Sequence, residues 1–357
     1  RATLFAANPG REAPPASVEK LYTSTALLTL LGPEAHLDTT LLGLGSLGPG
    51  GIWHGSLYLR GGGDPTFGSS AFISSHYGSG ASLDELAEAL SKRGIHTVEG
   101  QVLGDESFLD SRRGDPSSGF APDGELEGNL SGLAFNRGQT GSKRGPHAPA
   151  LYAALELLRA LRARHISVAH GVGAASAPAG AQVLAEIRSP PLSTLLGLMD
   201  RPSDNFFAET LLKDLGALRG SGGSTAAGAA LVRGVLAPLG LHPRILDGSG
   251  LSHSDRTSPL AVVTLLDDLA HTPIGAVLAG DLAVPGRSGT LALRMRGTPA
   301  AGRCQAKTGT LDFVSNLAGY CHAANGHLIA FALFDDRIPA ETAHHLQDTI
   351  AADLAAY

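Results

Sequence analysis

Lysine is scarce in this chain. Of its 27 basic residues, 22 are arginine and only five are lysine, at positions 20, 92, 143, 213 and 307. Arginine stays protonated in proteins, so it cannot replace lysine where a neutral amine has to act as a base. The few positions that keep lysine are therefore candidates for chemistry, and two of them lie in short motifs.

Three other features that the sequence lacks exclude whole classes of protein: long apolar runs, basic tracts and metal-ligand spacing. No apolar run reaches the roughly 18 residues that a membrane span needs, so we expect no transmembrane segment. The absence of a basic tract and a net charge of −6 argue against nucleic acid as the main partner. The dispersed histidines show no metal-ligand spacing, and we expect neither a metal nor a cofactor. The chain begins with Arg1 rather than Met, which fits an exported protein whose signal peptide has been removed.

Cysteine occurs only twice, at Cys304 and Cys321. The sequence around them predicts two strands, Lys307–Leu311 and Val314–Tyr320, with a tight turn between them. Such a turn places position 304 opposite position 321, at the Cα spacing that a disulfide needs. A disulfide in an oxidising compartment and two buried free thiols both remain open at this point.

Length and composition predict a globular protein of two domains. The 357 residues are 43% hydrophobic, with a mean hydropathy of +0.07. We expect a mixed α/β fold in which residues 41–181 form a domain inserted into a first domain made of residues 1–40 and 182–357. The sequence leaves the oligomeric state open.

The local sequence pattern predicts several elements. Paired prolines open a helix that runs to Leu31 and ends at Gly32-Pro33. Residues 111–147 are rich in Gly, Ser, Pro and charge and predict long surface loops. Further helices are predicted at 83–92, 148–164, 190–199, 205–215, 260–270 and 340–356, and strands at 97–104, 303–310, 314–322 and 328–334.

Three short motifs occur in order along the chain. Ser17–Lys20 reads S-V-E-K, Ser203–Asn205 reads S-D-N, and Lys307–Gly309 reads K-T-G. From the residue counts, about 0.4, about 0.5 and about 0.04 matches to the three patterns are expected by chance. Their occurrence together in this order has odds on the order of one in a thousand. As a set they supply the parts of a serine acyl-transfer site that uses lysine as its base.

The motifs suggest catalytic roles for five residues. Ser17 is the predicted nucleophile, and Lys20, three residues later on the same helix face, is its base. Burial and a second cation lower a lysine pKa, and Lys307 can supply that cation. We expect Ser203 to relay a proton to the leaving amine and Asn205 to contact a substrate backbone amide.

The substrate is expected to lie along the third motif. Lys307 and the hydroxyls of Thr308 and Thr310 would hold a carboxylate, and the oxyanion would bind to the backbone N–H groups of Ser17 and Thr310. The predicted substrate-binding residues are Thr308, Gly309, Thr310 and Arg256.

Each motif also has a structural explanation. Ser17 can cap a helix, and Ser203–Asn205 after a proline is ordinary capping chemistry. Lysines are usually solvated surface charges, and Lys307–Gly309 can be a plain strand end. We favour the catalytic interpretation because the three motifs occur together.

These motifs resemble those of the type-4, low-molecular-mass class C penicillin-binding proteins, the D-alanyl-D-alanine carboxypeptidase/endopeptidase family. The similarity covers essentially the whole chain and includes Gly63–Thr66, Ala208–Leu211, Asp247–Ser252, Gly289–Leu291, Gly297–Arg303 and Leu317–Tyr320. It implies a penicilloyl-serine-transferase (β-lactamase/transpeptidase-like) fold, with a five-stranded antiparallel sheet flanked by helices and a second domain inserted after the first catalytic motif. It also implies an exported serine DD-peptidase that acts on peptidoglycan stem peptides and is acylated by β-lactams.

The resemblance leaves carboxypeptidase and endopeptidase activity unranked, and two alternative functions remain. A β-lactamase or esterase on the same fold is one, although no Glu-x-x-Leu-Asn motif precedes Ser203 to hold a deacylating water. A catalytically inactive wall-binding scaffold is the other. Glu19 departs from the residues expected between Ser17 and Lys20, and helix geometry is expected to direct it away from Lys20.

Overall fold

The structure is a computed structural model that describes residues 2–139 and 148–357. Its described residues contain ten α-helices: α1 Lys20–Leu31, α2 Ser70–His76, α3 Leu83–Lys92, α4 Pro149–Ala163, α5 Leu192–Asp200, α6 Asn205–Arg219, α7 Thr225–Leu236, α8 Pro259–Leu269, α9 Pro273–Asp281 and α10 Ala340–Ala356. A 3₁₀ turn, Ala16–Glu19, leads directly into α1.

The strands range from two to eleven residues in length. In chain order they are β1 Asp38–Gly48, β2 Ile52–Arg60, β3 Thr97–Val98, β4 Val102–Asp105, β5 Ser167–Val168, β6 Val172–Ala174, β7 Gln182–Arg188, β8 Cys304–Leu311, β9 Val314–His322 and β10 Leu328–Asp336.

The chain divides into two compact units. The first comprises Arg1–Glu34, Leu192–Leu212 and Thr225–Tyr357, and the second comprises Ala35–Pro191 and Lys213–Ser224. The second unit therefore extends beyond the predicted insert, residues 41–181.

The first unit contains a three-stranded antiparallel sheet in the order β10-β9-β8. The expected five-stranded antiparallel sheet is wrong for the described residues. Residues 2–15 form no strand, and their one bridge joins Ala13 to Thr257. Pro9, Pro14 and Pro15 in this segment lack the N–H that a ladder requires. Beneath the sheet, Leu317 and Phe331 pack with Ala351 of α10 in an apolar core.

The β8–β9 hairpin has the predicted register. Leu311 pairs with Val314 across the turn, and Cys304 pairs with Cys321 at the far end. These two cysteines form a disulfide, so the bonded alternative is confirmed.

The second unit contains a seven-stranded mixed sheet. β1 pairs antiparallel with β2 and β7, whereas the pairs β2–β3, β2–β4, β3–β5 and β4–β6 are parallel. Helices α3 and α4 bury leucines such as Leu86 and Leu157 against this sheet. The predicted loops at 111–147 contain two short 3₁₀ turns, and residues 140–147 lie outside the described residues.

Across the described residues, no single helix combines the length and the apolar composition that a membrane span requires.

Candidate active site

Ser17 and Lys20 meet at the start of α1. In a 3₁₀ turn the side chains of residues i and i+3 eclipse each other, and here that geometry directs Lys20 towards Ser17. Lys20 Nζ lies 2.9 Å from Ser17 Oγ, within hydrogen-bonding distance. The spacing inferred from the first motif therefore corresponds to a direct contact.

Lys20 is completely buried and has two further hydrogen-bond partners. Its Nζ donates to Asn205 Oδ1 at 2.8 Å and to the Ser249 carbonyl at 2.9 Å. Burial lowers the pKa of Lys20 to about 8, while nearby carboxylates, Asp200 first among them, act in the opposite direction. A substantial fraction of the side chain is therefore neutral near pH 8, as a base requires.

The three residues of the second motif make different contacts. Asp204 Oδ1 accepts from Phe207 N at 3.0 Å and so caps α6, which is the structural role foreseen for this triplet. Ser203 adopts a left-handed backbone conformation with φ of +68°, and its Oγ accepts from Lys307 Nζ at 2.8 Å. Asn205 is the first residue of α6 and contacts Lys20.

Lys307 is the second fully buried lysine of the site. Its Nζ donates to Ser203 Oγ and, at 3.0 Å, to the carbonyl of Thr308. Burial lowers its pKa well below the ordinary range, and the positive charge of Lys20 lowers it further. The positive charge of Lys20 therefore acts on Lys307. The sequence predicted the converse effect, of Lys307 on Lys20, whereas burial is what lowers the pKa of Lys20.

Strand β8 carries the remaining residues of the third motif past the nucleophile. A Cβ at Gly309 would lie 2.7 Å from the Pro15 carbonyl, so only glycine allows this close approach. The Thr308 hydroxyl bonds to that of Thr290 at 2.8 Å, and the side chain of Thr310 is exposed.

Arg256 lies apart from this hydrogen-bond network. Its Nη1 donates to the carbonyls of His253 and Asp255, both at 2.6 Å, so the guanidinium is anchored to its own turn. The structure joins Ser17, Lys20 and Asn205 in one set and Ser203 with Lys307 in another, and it brings Arg256 into neither.

The sequence matches the D-Ala-D-Ala carboxypeptidase 3 (S13) family over residues 1–125 and 125–357. The chain belongs to this family. It is 29% identical to the D-alanyl-D-alanine carboxypeptidase of Actinomadura sp. (strain R39), covering 99% of this chain and 79% of that protein. It is 30% identical to carboxypeptidase DacB of Mycolicibacterium smegmatis, covering 95% and 75% of the two chains.

A solved structure shares the fold of this S13 chain. Penicillin-binding protein 4 (dacB) from Haemophilus influenzae superposes with a TM-score of 0.82 at 21% identity, covering 99% of this chain and 94% of that one. The same protein has been solved in complex with a β-lactam, where the TM-score is 0.75 at 20% identity, with 99% and 93% covered. The mixed α/β penicillin-binding fold is therefore shown.

Sequence reasoning missed several residues that support the site of the S13 chain. Asn316 of β9 donates through Nδ2 to the carbonyls of Pro14 and Pro15, at 2.9 and 2.8 Å, and so ties the segment before Ser17 to the hairpin. Its position opposite Gly309 in the predicted hairpin was the available signal.

Two buried carboxylates were also missed. Asp200 Oδ2 accepts from Ser24 Oγ at 2.6 Å, and burial raises its pKa to about 6 although both site lysines lower it. Glu209 Oε1 accepts from two backbone N–H groups of the Asp247–Ser252 loop. Two sequence signals for Glu209 were available: it lies one helical turn after Asn205, and it belongs to the family-like segment Ala208–Leu211.

Proposed function

We propose that this S13 chain is a serine D-Ala-D-Ala peptidase that hydrolyses peptidoglycan stem peptides through an acyl-enzyme on Ser17. The observation that carries the proposal is the 2.9 Å contact between Lys20 Nζ and Ser17 Oγ, made by a lysine that is fully buried. Burial supplies the lowered pKa that lets lysine act as a base near neutral pH.

Acylation begins with proton transfer from Ser17 to neutral Lys20. The Ser17 O–H bond breaks, its proton forms a third N–H bond on Lys20, and Oγ attacks the carbonyl carbon of the substrate peptide. We assign the backbone N–H groups of Ser17 and Thr310 to the oxyanion of the tetrahedral intermediate. The close approach of β8 to the Ser17 segment at Gly309 supports this assignment.

Collapse of the intermediate breaks the peptide C–N bond and releases an amine. The proton held by Lys20 has to reach that nitrogen, and Ser203, bonded to Lys307, is the proposed relay. Water then attacks the ester carbonyl carbon while neutral Lys20 takes one of its protons. The C–O bond to Ser17 breaks, the acid product leaves, and the proton on Lys20 returns to Ser17 Oγ. The cycle needs no cofactor and no metal.

Substrate binding is assigned to residues beside the two motif lysines. Asn205 would contact the stem-peptide backbone, and Lys307, Thr308 and Thr310 would hold its carboxylate. Arg256 is the weakest member of this set because its Nη1 is bonded within its own turn.

The domain assignment from the sequence becomes part of the proposal. Residues 1–40 and 182–357 would form the penicillin-binding domain, and residues 41–181 would form an inserted accessory domain. The division of the chain into two compact units supports a two-domain organisation, with Ala35–Pro191 and Lys213–Ser224 together in the second unit.

An exported location fits the proposed substrate. Peptidoglycan lies outside the cytoplasm, and the Cys304–Cys321 disulfide is of the kind that persists in oxidising compartments. Stem peptides and β-lactams are the expected partners.

The first experiment compares wild type with Ser17→Ala by intact-protein mass after incubation with benzylpenicillin. We expect one stable adduct on wild type and none on Ser17→Ala, because the ester forms on Ser17 Oγ. Circular dichroism would establish that both proteins are folded.

Other results point to the alternatives. Absence of an adduct on folded wild type would favour the inactive wall-binding scaffold. Rapid loss of the drug without accumulation of an adduct would favour a β-lactamase.

A further inference from the structure

The loop Asp247–Ser252 lies directly beside the proposed base. Its Ser249 carbonyl accepts a hydrogen bond from Lys20 Nζ at 2.9 Å. A Cβ at Gly250, where φ is +81°, would lie 1.9 Å from the Ala16 carbonyl. The loop therefore packs against the backbone that immediately precedes the nucleophile.

Two helices hold this loop from outside. Glu209 Oε1 on α6 accepts from the N–H groups of Gly248 and Ser249, both at 2.8 Å. Thr23 on α1 donates through Oγ1 to the Gly248 carbonyl at 3.0 Å. These are the helices that carry Asn205 and Lys20, so the loop and the two side chains share one support.

The loop is also rigid within itself. Asp247 Oδ1 accepts from Gly250 N, and Asp247 Oδ2 accepts from Ser252 N, both at 2.7 Å. Asp247 is fully buried. The direction of the Ser249 carbonyl is therefore fixed before any substrate binds.

The hydrogen-bond chemistry of a neutral lysine then determines where its lone pair points. A neutral amine has two N–H bonds and one lone pair, in tetrahedral directions. Two neighbours of Lys20 Nζ, Asn205 Oδ1 and the Ser249 carbonyl, are oxygens that only accept. Both N–H bonds are used on them, and the lone pair is left facing the hydroxyl of Ser17.

We propose that the Asp247–Ser252 loop positions the neutral amine of Lys20 and that Glu209 is the positioning residue that holds the loop. This inference rests on the proposed function, in which Lys20 removes the Ser17 proton. Without the Ser249 carbonyl, the amine would rotate about its last bond and present an N–H to Ser17 instead of its lone pair. Acylation would slow although drug binding would not change.

Several charges face Lys20 and contribute to its titration. Asp200, Asp247, Glu209 and Asp204 raise its pKa, and burial lowers it more strongly. Lys20 also interacts with the charges of Glu19 and Lys307. Removing the charge of Glu209 alone should therefore lower the pKa of Lys20 without abolishing the base.

The test measures benzylpenicillin acylation from pH 6 to 10 on wild type, Glu209→Gln and Glu209→Ala. The amide oxygen of Gln can still accept from both N–H groups, so its high-pH rate should stay within about threefold of wild type. The midpoint of the acylation rate against pH should be lower in Glu209→Gln than in wild type, by less than about one pH unit. Alanine removes the acceptor, and its high-pH acylation rate should fall at least about tenfold, with drug binding unchanged within about threefold.

Two further variants distinguish a loss of Lys20 positioning from a general loss of stability. Asp105→Ala removes another buried carboxylate that holds backbone N–H groups, those of Ser107 and Ala177, in the other unit. It should lower the melting temperature without slowing acylation. Thr23→Val keeps the shape of the side chain but loses the bond to Gly248, and should slow acylation by about three- to tenfold.

A folded Glu209→Ala protein that acylates at the wild-type rate would overturn the inference while leaving Ser17 as nucleophile. If Glu209→Ala does not fold, the Thr23→Val variant provides the test. Acylation of Thr23→Val at the wild-type rate would then overturn the inference. Failure of wild type itself to form the adduct would remove the proposed function and this inference together.

Discussion

At the scale of single residues, the pKa of Lys20 depends more on its burial than on the motif in which it lies. The first motif predicts that Ser17 and Lys20 are neighbours, and the structure puts them in contact. What the motif does not contain is the environment of Lys20, because its partners Asn205 and the Ser249 carbonyl lie 185 and 229 positions away. The pKa of the base is therefore a property of the fold.

The pKa of Lys20 predicts how acylation depends on pH. Burial lowers this pKa to about 8, and only the neutral amine accepts the Ser17 proton. The rate of benzylpenicillin acylation should therefore rise with pH through about 8 and then level off. Lys20→Arg, which stays protonated, should form at least about a thousandfold less adduct in the same time.

Lys92→Arg is the matched control for this lysine. The side chain of Lys92 is 75% exposed and pairs with Glu88, so its replacement should leave the profile unchanged. A rate that is flat between pH 6 and 9.5 in wild type would exclude Lys20 as the titrating base.

Ser203 combines a proposed chemical role with an unfavourable backbone. Its φ of +68° lies in the left-handed region, which costs a residue with a Cβ about 1 kcal/mol relative to glycine. Ser203→Gly and Ser203→Ala both lose the hydroxyl, and both should acylate much more slowly. The glycine variant should nevertheless melt about 2–4 °C higher than the alanine variant.

His165, which is exposed and has φ of +60°, provides the control pair. Glycine should again be more stable than alanine there, but neither variant should change acylation. Equal melting temperatures for the two Ser203 variants would mean that the left-handed backbone stores no strain.

At the scale of elements, the sequence predicted those with clear local signals. Helix α3 has a Ser82 cap, acids in its first turn and Lys92 at its end, and it was predicted with its observed bounds. Helix α7 was missed because Gly228 and Gly234 weaken its pattern. Gly228 is needed there, since a Cβ would lie 2.0 Å from the Leu212 carbonyl.

The prediction of a five-stranded antiparallel sheet was wrong because local sequence patterns are again insufficient. The number of strands depends on pairings between distant segments, which local patterns do not contain. The β8–β9 register was predictable because one tight turn determines every pair in it.

The hairpin also orients the nucleophile segment, and Asn316 provides the test. Asn316→Asp replaces the donor to the Pro14 and Pro15 carbonyls by an acceptor that repels them. We expect a loss of about 1–3 kcal/mol in the free energy of unfolding and at least about tenfold slower acylation. Urea unfolding and the adduct rate would measure the two effects.

Asn325→Asp is the control, because Asn325 is exposed and its Oδ1 only accepts, from His327 N at 3.0 Å. Aspartate keeps that bond, so stability and rate should stay at wild-type values. Wild-type acylation by Asn316→Asp would show that the two carbonyl contacts do not orient Ser17.

At the scale of the whole molecule, the described residues bury an unusual set of carboxyl groups. Burial raises the pKa of each of the following: Glu19, Asp64, Asp200, Asp214, Asp247, Asp255 and Asp281. For Asp64, Asp255 and Asp281 the value is about 7. No sequence pattern revealed this, because burial of an acid depends on the tertiary structure.

Raised carboxyl pKa values determine how stability responds to pH. Between about pH 4 and pH 8 the folded chain binds more protons than the unfolded chain, so the free energy of unfolding falls as pH rises. Asp105, whose pKa is lowered from 3.8, acts in the opposite sense at more acidic pH. His344, whose pKa is lowered from 6.5, also acts in the opposite sense, just below pH 6.5, as one group against the set of raised acids. Lys20, whose pKa is about 8 in the folded state, acts in that sense above about pH 8. The pKa of Lys307 is lowered well below the ordinary lysine range, so Lys307 also acts in that sense.

The protein should therefore melt at a higher temperature at pH 6 than at pH 8, by roughly 3–8 °C.

Glu19→Gln isolates one contribution, because an uncharged amide mimics the protonated acid that burial and the charges of Asp255 and Asp247 favour. This variant should melt above wild type at pH 8, and the gap should narrow at pH 6. Glu88→Gln, an exposed acid, should leave the difference between the two pH values nearly unchanged. A wild-type melting temperature that is equal or higher at pH 8 would show that these acids are ionised in the folded protein, and that the charge around Lys20 is more negative than the structure indicates.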